Sequence, residues 1–126
     1  YEGCCDFLTR LKSQNIPMAV LTNKPQEMTD IILKDLELDH YFNPILGPEG
    51  AGCHKPETDG IKKCLEMYKL EKQEVLMIGD HHTDLQVAEN ASVDNAFFTG
   101  GMGNNGGLTP TITFDSYESL SSILQL

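Results

Sequence analysis

Tryptophan is absent, and cations are scarce: 9 Lys and Arg face 19 Asp and Glu in 126 residues, a formal charge of −10 with histidine neutral. A phosphate backbone would repel such a chain, and no local basic cluster offsets the excess. Neither nucleic acid nor an anionic membrane surface is therefore an expected partner. No apolar run approaches the roughly 18 residues that cross a bilayer. The four cysteines, Cys4, Cys5, Cys53 and Cys64, form no C-x-x-C pair. In a chain large enough to build its own core they read as reduced, core-facing thiols, which implies a cytoplasmic protein. The first residue is Tyr1 rather than Met, as in a truncated or processed chain. With 40% hydrophobic and 22% charged residues, one modest acidic domain spanning residues 1–126 is the expectation.

Phe7, Leu8 and Leu11, with Cys4 before them, recur at helical spacing and predict a first helix ending near Ser13 to Asn15. Met18 to Leu21 is a short continuous apolar run, suited to a strand covered on both faces. Pro25 opens a second helix whose expected buried stripe is Met28, Ile31, Ile32 and Leu36. A brief strand at Pro44 to Gly47 leads into a loop from Pro48 to Pro56. A third helix follows through Ile61, Cys64, Leu65 and Tyr68, then an apolar strand from Val75 to Gly79. Thr83 or Asp84 starts a fourth helix through Leu85, Ala88 and Ala91. Ala96 to Thr99 and Thr111 to Phe114 are further strands, and Asp115 with Glu118 reads as the capping box of a last helix through Leu120, Ile123 and Leu124. Alternation at this spacing predicts an α/β fold, a doubly wound, mostly parallel sheet with helices on both faces. Ligands of such sheets bind beyond the carboxyl ends of the strands. The polar residues just after each apolar strand should thus converge.

Those residues are Thr22, Asn23 and Lys24 after the first strand and Asp80 with Asp84 after the third; Lys55, just before a predicted helix, is a separate candidate. Thr22 and Asn23 stand where a strand turns into a helix, so hydroxyl, amide and free backbone N–H groups can all face an anion; an ordinary N-cap is the alternative. Lys55, in Cys53-His54-Lys55-Pro56, can project into the same crevice or remain a solvated loop lysine. Asp80 and Asp84 sit four apart across a strand-to-helix turn; two carboxylates so placed repel unless a hard divalent cation such as Mg²⁺ joins them. Capping explains Asp84 and leaves Asp80 unaccounted for. The string Gly101-Met102-Gly103-Asn104-Asn105-Gly106 matches a dinucleotide fingerprint by letter but precedes Pro110 and another strand instead of opening a helix, so it reads as a loop at the mouth of the site. His81, His82 and the Cys53-His54 pair lack the spacing of a structural zinc site.

Leu21-Thr22-Asn23-Lys24, then His54-Lys55-Pro56, then Met77-Ile78-Gly79-Asp80 with Asp84, together resemble the haloacid-dehalogenase superfamily and its phosphoglycolate-phosphatase-like branch, over nearly the whole chain. The resemblance implies a phosphate-monoester hydrolase working through an aspartyl-phosphate. It places phosphate binding on Thr22, Asn23 and Lys55, a catalytic role on Lys55, and Mg²⁺ on Asp80 with Asp84 as ligand or as partner to metal and lysine. The substrate implied is a small phosphorylated metabolite. A signalling receiver domain places its phospho-accepting aspartate before the threonine and lysine, opposite to the order here.

The family's first motif, an apolar strand ending in D-x-D-G-T, has no counterpart before Thr22: Asp6 has Leu8 two positions later. The resemblance therefore implies that nucleophile, general acid and cap domain are missing, that the strand between the Met18 and Val75 strands is missing with them, and that two apolar edges are exposed. The expectation is the carboxy-terminal part of a larger phosphatase, inactive alone and completed by the missing amino-terminal segment or self-associating through those edges. The alternative is an inactive module that binds phosphate or Mg²⁺. Ser92 departs from the family's usual glycine.

Overall fold

The structure, a computed structural model, describes residues 3–52, 55, 57–101 and 103–126. In chain order its elements are α1 (Cys4–Ser13), β1 (Val20–Leu21), α2 (Gln26–Asp35), β2 (Ile45–Leu46), α3 (Pro48–Ala51), α4 (Asp59–Tyr68), β3 (Leu76–Gly79), α5 (His82–Ala91), β4 (Asp94–Phe98), β5 (Ile112–Phe114) and α6 (Tyr117–Ile123). All strand pairings are parallel. Val20 and Leu21 of β1 pair with Ile45 and Leu46 of β2, while β4 lies between β3 and β5. Among the described residues no ladder joins β1 to β3, so the sheet comes in two parts.

Both parts nevertheless lie between the same two layers of helices, because side chains alternate along a strand. Leu76 and Ile78 of β3, with Met18 just before β1, pack into a core formed by Phe7, Leu11, Ala96, Phe98, Phe114 and Leu120. Val75 and Met77, with Leu21, face the opposite core of Ile61, Val87, Ala88, Ala91 and Val93. Helices α1 and α6 thus cover one face, and α4 and α5 the other. The α/β doubly wound expectation holds with β1 and β3 as separate edges. Their exposure shows it: β3 is only half-buried along its length, whereas β4, flanked on both sides, is buried from Asn95 to Phe98.

Several local expectations are corrected. The stripe of α2 is outside: Met28, Ile31, Ile32 and Leu36 are 52, 54, 36 and 61% exposed. Its inward positions are Gln26, Thr29 and Leu33, two of them polar. Thr29 is buried with its hydroxyl on the Pro25 carbonyl, and Gln26 donates to the Ile45 carbonyl at 2.9 Å while accepting from Gly47 N–H at 2.6 Å. Those bonds fix which side of the helix faces the protein. The stretch after β2 is partly helical, as α3. Helix α5 begins at His82, capped by the His81 ring, whose Nδ1 accepts from Thr83 N–H; α6 is capped by the Ser116 hydroxyl, not Asp115. Strand β1 is two residues shorter than expected, and β4 starts two residues earlier. Cys4, Cys5 and Cys64 are free thiols, and burial raises those of Cys4 and Cys64 above the ordinary value. Cys53, His54, Pro56 and Met102 lie outside the described residues. No helix among the described residues is long and apolar enough to cross a membrane.

Candidate active site

The site is built on the turn after β3. Gly79 ends that strand, and a Cβ there would overlap the Asp84 carboxylate. Its absence lets Asp84, in the first turn of α5, fold back beneath the strand end. There Asp84 is 7% exposed, and its Oδ2 accepts from Asp80 N–H at 3.1 Å and His81 N–H at 3.3 Å. The α5 amino terminus favours a negative charge at that position. Oδ1 takes the Lys55 ammonium in a salt bridge, with both side chains 10% exposed. Asp84 is therefore fully engaged, and the long Lys55 side chain is drawn from its loop to the carboxyl end of β3.

Asp80 differs. Its backbone N–H is used, but its carboxylate accepts no hydrogen bond from the described residues, and it lies against Gly101, where a Cβ would collide with it. Cβ atoms at Gly103 and Gly106 would likewise meet the Asp80 carbonyl and the His82 side chain. The glycine string is thus the loop that closes on the turn at 80–82, as its place in the sequence suggests, and its glycines permit backbone to approach the site. The His81 and His82 rings lie with centres 4.0 Å apart and planes tilted by 38°, the first engaged as the α5 cap.

On the other side, β1 delivers Thr22 and Asn23. Thr22 N–H continues the ladder to Leu46 at 3.0 Å, and its hydroxyl oxygen accepts from Lys24 N–H at 3.1 Å. Asn23 does something the sequence did not suggest. Its Oδ1 accepts from Lys55 N–H at 2.6 Å and its Nδ2 donates to the Lys55 carbonyl at 3.2 Å. Four of the five predicted site residues hence form one connected set, running from Asn23 through Lys55 and Asp84 to Asp80, with Thr22 outside it. Lys55, Asp80 and Asp84 of that set border a cleft of about 270 Å³ whose apolar walls are Leu21, Ile78, Phe98 and Tyr117. Leu21 forms the β1 side of that cleft, and Thr22 and Asn23, next along the chain, are not among the residues lining it. Missed in the sequence were Gly79, Gly101 and the His81 cap. A glycine directly before an acidic residue at a strand end is the signal that could have found the first.

A cleft holding an ammonium and a carboxylate that accepts no hydrogen bond from the described residues, beyond the carboxyl ends of parallel strands, is where an open α/β sheet binds its ligands. The chain belongs to the haloacid dehalogenase-like hydrolases, whose family model matches residues 1–98. Among its relatives, PpaX of Caldanaerobacter subterraneus, named as a candidate pyrophosphatase, is 42% identical over 92 residues, 73% of this chain and 42% of that protein. Phosphoglycolate phosphatase 1 of Pseudomonas aeruginosa is 29% identical, covering 95% of this chain and 45% of its own. The crystal structure of a predicted phosphoglycolate phosphatase from Haemophilus somnus superposes with a TM-score of 0.91 at 27% identity over 99% of this chain and 57% of that one. The magnesium-bound HAD-hydrolase YfnB of Bacillus subtilis gives 0.88 at 25% identity over 100% of this chain and 56% of its own. The chain thus spans about half the length of the relatives it matches.

Proposed function

We propose that the 126 residues are the carboxy-terminal core part of a phosphatase for a small phosphorylated metabolite, supplying phosphate and Mg²⁺ binding while another segment supplies the nucleophilic aspartate. The observation that carries this is the Lys55 ammonium, held by Asp84 in the cleft between β1 and β3 beside the unengaged Asp80 carboxylate. A phosphoryl dianion cannot approach a carboxylate nucleophile unless cations offset the repulsion. Lys55 supplies one such charge. Thr22 adds a donor, since its oxygen already accepts from Lys24 N–H and its hydrogen is left for a phosphate oxygen.

The donor chemistry of Asp80 fits Mg²⁺, a hard cation that takes carboxylate oxygen and keeps several waters. Asp84 fits less directly, because both oxygens are engaged, and acts by holding Lys55 and the Asp80 backbone. Bound there, Mg²⁺ would neutralise charge on the phosphoryl oxygens. Among the described residues no group of three His, Cys, Asp or Glu side chains gathers for a metal, so further ligands come from the substrate, water or the completing segment. In the reading taken from the family, an aspartate oxygen of that segment attacks phosphorus, the bond to the leaving oxygen breaks, and water then hydrolyses the aspartyl-phosphate.

The segment's place is the gap between the β1 and β3 edges; a second copy of the chain is the competing occupant. The compartment is cytoplasmic, and the cap domain lies outside these residues. Phosphoglycolate and pyrophosphate, which appear in the names of relatives, are the first substrates to assay. Phosphate release is measured with the chain alone and mixed with a segment carrying a D-x-D-G-T strand, with and without Mg²⁺. Activity only in the complete mixture supports the proposal. Phosphate binding with no turnover in any mixture would instead establish the non-catalytic module.

A further inference from the structure

We infer that Asn23 is a positioning residue, a clamp that sets where the Lys55 ammonium can reach, and not itself a contact of the phosphoryl group. The inference rests on the phosphate-binding reading above and deepens it. The Asn23 amide bonds both backbone polar groups of one residue 32 positions away: Oδ1 accepts Lys55 N–H at 2.6 Å, and Nδ2 donates to the Lys55 carbonyl at 3.2 Å. A side-chain amide paired with a peptide in this way imitates one rung of a sheet, joining the end of β1 to the loop before α4. Asn23 is itself well anchored, because the preceding Thr22 continues the ladder to Leu46.

Lys55 is consequently held at both ends, its backbone by Asn23 and its ammonium by Asp84. A lysine side chain forfeits much rotamer freedom when it is fixed, and a moving backbone would add to that loss on binding an anion. The clamp carries this ordering before the ligand arrives, which is preorganisation. The oxygen and one N–H of the amide are engaged with Lys55, and Asn23 is not among the residues lining the cleft.

The probe is inorganic phosphate, titrated into the full chain and into Asn23→Ala, Lys55→Met and the double variant. Lys55→Met is expected to weaken binding about 10- to 100-fold, as loss of a bond to a charged group does, and Asn23→Ala about 3- to 10-fold. The double variant should bind no more weakly than Lys55→Met alone, because the clamp has then nothing left to position. Losses that multiply, or an Asn23→Ala variant that binds like the parent, overturn the inference while leaving the phosphate-binding reading intact. Failure of the parent chain to bind phosphate overturns that reading, and this inference falls with it. Amide exchange in the unaltered chain requires no variant to fold: Lys55 N–H should exchange slowly, and free exchange would refute the clamp. Asn23→Ser, too short to span both backbone groups, should match Asn23→Ala in both assays.

Discussion

Removing the ammonium from Asp84 is the most demanding test of the site's electrostatics. In Lys55→Met, a carboxylate that is 7% exposed loses its counter-charge but keeps two N–H donors, from Asp80 at 3.1 Å and His81 at 3.3 Å. Breaking a buried pair by deleting one partner costs about 3–5 kcal/mol, chiefly because a charge is stranded. The two remaining donors and the α5 amino terminus retain part of that, so the expected loss is about 2–3 kcal/mol. With a urea slope of about 1–3 kcal/mol per molar, the midpoint should fall by roughly 1 M or more. Asp84→Asn should cost less, because the stranded lysine sits on a flexible stem that can swing its charge to water. The double variant should lose less than the sum of the two, since no isolated charge remains. A Lys55→Met midpoint within error of the parent, or strictly additive losses, would show that the pair contributes nothing at this depth and would refute the account of Asp84.

Four further outcomes are expected. Ile31→Gln should change stability by no more than about 0.5 kcal/mol in urea unfolding, because the side chain is 54% exposed; a loss of about 2 kcal/mol would mean the α2 stripe is buried after all. Ser92 ends α5 with φ 58° and ψ 39°, so Ser92→Gly should stabilise the fold by about 1 kcal/mol and raise the thermal midpoint by roughly 3–5 °C, and an unchanged midpoint would contradict that backbone. Gly79→Ala should cost at least about 2 kcal/mol and weaken phosphate binding, since its methyl group would displace the Asp84 carboxylate; a neutral effect on both would be inconsistent with the packing. Burial holds the Cys4 and Cys64 thiols above the ordinary value of 9.0, so the folded state binds their protons more tightly than the unfolded chain. That contribution is complete below pH 9.0 and is lost as pH rises further, so Cys64→Ala should show a smaller fall in the urea midpoint between neutral and alkaline pH than the parent.

Where one rule of local physics decided an element, the sequence was sufficient. The runs at Val75 to Gly79 and Ala96 to Thr99 announced strands because nothing but a covered sheet accommodates them, and helices α1, α4 and α5 followed from their spacing. The three motifs around Thr22, Lys55 and Asp80 with Asp84 carried the resemblance to the family, whose model matches residues 1–98. Misreadings came where two local rules competed. His81, Asp84, Thr83, Asp115 and Ser116 are all credible caps, and only the backbone angles chose His81 and Ser116. The α2 stripe obeyed the helical period, but period does not state which face meets the protein; the Gln26 bonds to Ile45 and Gly47 settled that.

The sequence by itself determined the layered α/β plan and which polar residues follow its strands, because periodicity and residue chemistry are properties of short stretches of chain. Tertiary structure alone decided how those groups are paired: Asp84 bonded to Lys55, the Asp80 carboxylate with no bond from the described residues, Asn23 turned to the Lys55 backbone. The reason is physical. Each of these roles depends on which partner lies within about 3 Å, and hydrogen bonds weaken too steeply with distance and angle for spacing along the chain to predict them.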